Sequence, residues 1–165
     1  MYEFETDWYQ ELLDFCNYYE VKLDEYKSGY SNNYTCYLKI PALQLSSQGQ
    51  GKTFELARMI AAENLMPDCE IYDMKQDVGE ANYDNSVSQL NMLFQKEYIT
   101  KPEYEFETET QEDGRQLWFC YCYVSSYEDK EDYKNRGIGE AYSKADAKKA
   151  AAFDMLQFIY DETDR

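Results

Sequence analysis

The stretch Gly139-Glu-Ala-Tyr-Ser-Lys-Ala-Asp-Ala-Lys-Lys-Ala-Ala-Ala-Phe-Asp-Met-Leu-Gln-Phe-Ile159 combines, in one register, a helix cap, a basic cluster and a stripe of small side chains. Ser143 predicts the helix start, because its hydroxyl can accept from an amide that the first turn leaves unpaired. Ala147, Ala151, Met155 and Ile159 recur at every fourth position, with Ala150 and Phe158 beside them, so one face is apolar and mostly small. Alanines in such a stripe let a helix lie close against a sheet. Lys144, Lys148 and Lys149 gather in the opening turns, where the macrodipole is already positive and cations reduce stability. Basic residues placed against that local preference point to an anionic partner. The alternative is a set of solvated lysines on an exposed face.

This pattern resembles the second helix of the double-stranded RNA-binding domain, whose signature is a glycine-containing hairpin followed by Ser-Lys-Lys-x-Ala-Lys-x-x-Ala-Ala. Ser143-Lys144, Ala147-Lys148 and Ala151-Ala152 match it, and Ala145 stands where the family has its second lysine. Asn85-Ser-Val-Ser-Gln-Leu-Asn91 is similar to the family's first helix, commonly Asn-Pro-Val-Ser-x-Leu-Asn.

The rest of the chain reads as two copies of one plan. Asp7–Tyr19 has helical apolar spacing, with Thr6 or Asp7 as its cap. Val21–Tyr26 and Tyr34–Ile40 read as strands separated by a loop of turn formers, and Leu43–Ser47 as a short third strand. A helix capped by Thr53 follows and is expected to stop at Pro67. After Asn85 come a helix, the strict alternation Pro102-Glu-Tyr-Glu-Phe-Glu-Thr-Glu109, a turn at Gln111–Gly114, a strand over Leu117–Ser125, an acidic loop over Tyr127–Asn135, a third strand and the opening helix. The expected architecture is α+β: two α-β-β-β-α domains of the double-stranded RNA-binding kind, each a three-stranded antiparallel sheet with two helices on one face. Their expected bounds are 1–67 and 85–165, with an acidic linker at 68–84.

Composition limits the function. The formal net charge is −17 and there is no histidine, whereas nucleic-acid binders draw most of their affinity from a basic stripe. Five cysteines, an odd number, and the lack of an opening apolar segment predict a reduced intracellular protein, cytoplasmic or nuclear. No apolar run reaches the ~20 residues that span a bilayer, so no membrane partner is expected. Cys120-x-Cys122 reads as two residues on one face of a strand rather than a metal site. Gly49-Gln-Gly51-Lys52-Thr53 lacks the earlier glycine of a nucleotide phosphate loop, since Ser46 stands there. No cofactor is expected. Catalysis is not expected either, because the acids lie on wet faces and loops with no motif among them.

The resemblance implies three contacts with duplex RNA: the first helix, the loop between the first two strands, and the lysines of the second helix. In the second copy, Lys144, Lys148 and Lys149 remain, with Asn91 on the first helix, but the loop reads Gln-Glu-Asp-Gly-Arg and Met92 stands where the family has glutamate. In the first copy, Phe54 and Glu55 replace lysines and Arg58 remains. Glutamates at 103, 105, 107, 109 and 112, with the run Glu128–Asp132, are expected to surround the lysine patch. The leading expectation is therefore a non-catalytic adaptor in a pathway that handles duplex RNA (silencing, editing or processing). It would bind a protein of an RNA-processing complex or a second copy of itself through tyrosines such as Tyr121, Tyr123 and Tyr127, with duplex RNA binding weak or absent. The alternative is weak, sequence-independent binding of double-stranded RNA through the second-helix lysines. An acidic mimic of nucleic acid is a third reading.

Overall fold

In the computed structural model, residues 4–125 and 136–161 are described; Tyr127 and the acidic run 128–132 lie outside them. The described chain is α+β, with four α-helices and two three-stranded antiparallel sheets. It divides into two compact units, Met1–Tyr72 and Asp73–Arg165.

The first unit opens with α1 (Trp8–Tyr18), whose cap Asp7 accepts from the Gln10 amide. Strands β1 (Asp24–Tyr30), β2 (Asn33–Ile40) and β3 (Leu45–Gly51) follow, then α2 from Phe54. On β2 the period of two is visible in burial: Cys36, Leu38 and Ile40 are buried, while Tyr37 and Lys39 are exposed. The buried set meets Leu12, Phe15 and Cys16 of α1 and Ala57, Ala61, Ala62, Leu65 and Cys69 of α2 in one core. Both helices therefore cover the same face of the sheet. The loop expected over residues 27–33 is mostly strand. Ser31 and Asn32 both take positive φ, at 53° and 65°, and such a two-residue turn matches the strands' twist.

Helix α2 spans Phe54–Val78, straight through Pro67, which corrects the expected stop. Proline in a helix removes one hydrogen bond and costs about 3 kcal/mol. The apolar stripe Ala57, Ala61, Leu65, Cys69 nevertheless continues past it, each residue fully buried, and packing of that face sustains the helix. The segment read as a linker from its acids is accordingly helical as far as Val78, with Met74 buried and Glu70 and Asp77 on the wet side. The division between the units falls inside this helix, after Tyr72.

The second unit contains α3 (Ser86–Gln95), β4 (Glu103–Thr110), β5 (Gln116–Tyr123), β6 (Arg136–Ala141) and α4 (Lys144–Tyr160), with sheet order β4-β5-β6. Its entry is pinned by buried polar groups with partners. Gln89 accepts from the Asn82 amide at 2.9 Å and donates to the Glu80 carbonyl at 2.7 Å, and the Ser86 hydroxyl donates to the Lys149 carbonyl at 2.9 Å.

Glycine and alanine interlock where α4 crosses β6. A Cβ on Gly139 would collide with the Ala147 carbonyl and the Ala151 amide, and one on Gly137 with the Ala151 carbonyl. The alanine stripe and the glycines thus let two backbones touch. The first unit repeats this: a Cβ on Gly49 would strike the Ala57 carbonyl and the Ala61 amide. These glycines serve helix packing, which is why the sequence at 49–53 looks superficially like a phosphate loop.

Candidate nucleic-acid interface

Alternation along β4 separates two chemistries. Tyr104 and Phe106 pair across the ladder with buried Cys122 and Cys120, on the face that α4 covers. Glu103, Glu105, Glu107 and Glu109 pair with Tyr123, Tyr121, Phe119 and Leu117, on the opposite face. The expectation that these glutamates surround the lysines is therefore corrected. Strand periodicity of two turns all four away from the helix.

Ser143 starts α4 by accepting from the Asp146 amide at 3.1 Å. Lys144 then lies 4.6 Å from the centre of the Phe106 ring and 5.8 Å from that of Trp118, and Lys148 lies 4.7 Å from that of Tyr104. A cation over a ring is attracted by about 0.5–1 kcal/mol at exposed positions, which offsets the dipole conflict. Among the described residues, neither lysine forms an ion pair. Lys149 turns the other way, 5.9 Å from the Tyr83 ring and 3.9 Å from the Asp84 carboxylate, a residue that is itself highly exposed. Lys144 and Lys148 thus share one stripe with charges that no carboxylate of the described residues neutralises.

Asn91 is on α3, exposed in a stripe with Ser88, Met92 and Gln95. The β4–β5 turn pairs its one cation locally: Arg115, still largely exposed, donates to Asp113 at 2.7 Å and lies 4.1 Å from the Tyr142 ring. The bonds from the Arg115 amide and guanidinium keep the Asp113 carboxyl below its ordinary range. Tyr121 and Tyr123 stand on the far face of the sheet, where their hydroxyls donate to Glu107 at 3.5 Å and Glu105 at 3.2 Å.

Under the lysines, burial pushes the Cys120 thiol up to about 11 and the Cys122 thiol up to about 12. Both are packed, protonated side chains. Among the described residues no three His, Cys, Asp or Glu side chains gather as a metal site, and no helix is long and apolar enough to cross a membrane. The ring partners Tyr104, Phe106 and Trp118 were not singled out from the sequence. Their signal was present in the alternation at 104 and 106, but their pairing with lysines some forty residues later depends on how α4 crosses the sheet.

Residues 86–159 match the family model of the double-stranded RNA binding motif. A Ribonuclease 3 from Roseburia hominis is 31% identical over 159 residues, covering 94% of this chain and 41% of that protein. A Ribonuclease 3 from Treponema succinifaciens is 33% identical over 89 residues, covering 53% of this chain and 22% of that protein. The chain thus spans less than half the length of either relative.

These matches overturn the expectation of a non-catalytic adaptor. Its relatives carry the name of a ribonuclease, and the matched motif is one that binds double-stranded RNA. Net charge misled the expectation, because it sums over faces that the fold keeps apart.

Proposed function

We infer, from the double-stranded RNA binding motif that residues 86–159 carry, that the second unit binds duplex RNA without reading its sequence. The observation that carries this reading is the pair Lys144 and Lys148, set over aromatic rings at the start of α4 with no ion pair among the described residues, while the glutamates of β4 occupy the other face of the sheet. Shape, phosphates and 2′-hydroxyls dominate recognition of A-form duplexes, and a helical pair of cations suits phosphates on either side of a groove. We assign Lys144 and Lys148 to phosphates, and Asn91 on the exposed stripe of α3 to the minor groove; Lys149, which turns toward Tyr83 and Asp84, is left out of the contact. The formal charge of −17 opposes approach at long range, but salt at ~0.1 M screens charges beyond about 10 Å. The complex therefore depends on local contacts and is salt-sensitive.

We extend the same fold to the first unit. Its support is the shared element order, the shared closure of one sheet face by two helices, and the Gly49–Ala57–Ala61 interlock that repeats at Gly139–Ala147–Ala151. On this reading the two domains centre on residues 1–67 and 85–165, with the core of the first running on to Cys69 and the acidic segment 68–84, helical as far as Val78, between them.

The test is a titration with a duplex of about 16 base pairs across a salt series. Lys144→Ala with Lys148→Ala is expected to weaken binding and to flatten the slope of log affinity against log salt by roughly 1.8, at about 0.9 per phosphate contact. An unchanged slope refutes the assignment.

A further inference from the structure

Contacts align the two units position by position. Thr53 caps α2 through the Leu56 amide as Ser143 caps α4 through the Asp146 amide. Gly49 faces Cys36 across the sheet as Gly139 faces Cys120, and each glycine lies beneath the matching alanines. Phe54 and Arg58 of α2 therefore stand where Lys144 and Lys148 stand on α4. On the strand beneath, Lys27 is opposite Cys36 and Glu25 opposite Leu38, so they take the places of Phe106 and Tyr104.

Two exchanges follow. The lysine–aromatic pair persists with its partners swapped: Lys27 on the strand lies 4.6 Å from the Phe54 ring on the helix, where the second unit has Lys144 at 4.6 Å from Phe106. The other pair changes character. Lys148 has a neutral ring beneath it, whereas Arg58 has the Glu25 carboxylate at 3.9 Å. Around Glu25 the Tyr9 hydroxyl donates at 3.3 Å and the Cys36 thiol at 3.9 Å, and Arg58 stacks 4.2 Å over the Tyr9 ring. The pair is roughly two-thirds shielded from solvent, with side-chain exposures of 35% and 28%, so salt screens it less than a surface pair.

We propose that Glu25 withholds Arg58 from phosphate, and that this one carboxylate sets the first unit apart from the second as a binder of duplex RNA. The proposal rests on the phosphate role inferred for the α4 lysines. A guanidinium that is neutralised by a half-buried carboxylate and held over an aromatic ring releases fewer counterions on meeting a phosphate, and it would leave that carboxylate unpaired if it moved. Gln at position 25 keeps the shape and the hydrogen bond from Tyr9 while removing the charge.

The full-length chain carrying Glu25→Gln is titrated with the same duplex across the salt series, beside the wild type and Asp24→Asn. Asp24 is the adjacent residue, lies on the other face of β1 and pairs with Lys22, so it controls for loss of one negative charge. The expected result is a slope steeper by about 0.9 for Glu25→Gln, equivalent to roughly threefold more affinity lost between 50 and 200 mM salt. Asp24→Asn should not change the slope, and Glu25→Gln with Arg58→Ala should return it to the wild-type value. Equal slopes for Glu25→Gln and the wild type overturn the proposal, as does an equal change in Asp24→Asn. Should the wild-type affinity prove indifferent to Lys144 and Lys148, the reading of the second unit fails instead. A gain from Glu25→Gln that Arg58→Ala abolishes would still stand on its own.

Discussion

The ammonium of Lys144 stands 4.6 Å from the centre of the Phe106 ring, so the first cation of α4 rests on an aromatic of β4 rather than on a carboxylate. Its stem packs while its charge stays available. Lys144→Met separates these roles, because a thioether keeps the contact with the ring and removes the charge. Stability in urea is expected to stay within about 1 kcal/mol of wild type, since an exposed cation over a ring is worth about that much and its conflict with the dipole is relieved. The salt slope for duplex RNA should fall by about 0.9. Loss of stability without a change in slope would make this lysine a packing residue only.

Gly139→Ala tests the contact between α4 and β6. The added Cβ would meet backbone atoms of Ala147 and Ala151, which cannot rotate away as side chains do. Overpacking of this kind costs typically about 1–3 kcal/mol. Chemical denaturation should show destabilisation in that range or beyond. A neutral effect would mean that helix and strand separate without penalty.

Tyr104→Phe has the opposite sign. The Tyr104 hydroxyl is buried beside the Cys122 thiol without a well-formed hydrogen bond, and burial pushes its phenol well above the ordinary range. Removing an unsatisfied hydroxyl recovers part of a desolvation penalty of about 1–3 kcal/mol. Denaturation should show equal or greater stability, and Lys148 would keep its ring. A clear loss would reveal a hydrogen bond to that oxygen.

Alkaline pH should weaken the fold. Burial is the first cause that pushes Cys36 and Cys120 up to about 11 and Cys122 up to about 12. An unfolded thiol titrates near about 8.5, so above that pH the unfolded chain loses protons that the folded chain keeps. The thiols' contribution is complete below about 8.5 and declines as pH rises through the folded values. Urea midpoints measured from pH 7 to 10.5 should fall above pH 9, and replacing Cys122 with Ala should shallow that fall. A flat profile would show the thiols reaching water.

Much of the fold was legible along the chain because its signals are local. The cap at Ser143, the alternation at 103–110, the turn at 111–114 and the alanine stripe each depend on neighbours within a few residues. The reading failed where a local signal met a distant one. Pro67 argued for a stop, but Cys69 and Met74 supply buried faces beyond it. The acids of 68–84 carried no helical period for the same reason, yet the segment is helical as far as Val78. Net charge argued against RNA because it carries no information about which face each carboxylate occupies.

Sequence periodicity was sufficient for the α-β-β-β-α order of the second unit and for the lysines at the head of α4, since both follow from residue type and spacing. Which carboxylates those lysines see required the folded sheet. The period of two along β4 sends Glu103 to Glu109 away from α4, and the pairing register puts Tyr104 and Phe106 beneath Lys148 and Lys144. In the first unit the same placement puts Glu25 beneath Arg58, thirty-three positions later in the chain. Coulomb attraction acts through space and falls off with distance, not with separation along the chain, so packing alone sets one cation over a ring and the other against a carboxylate.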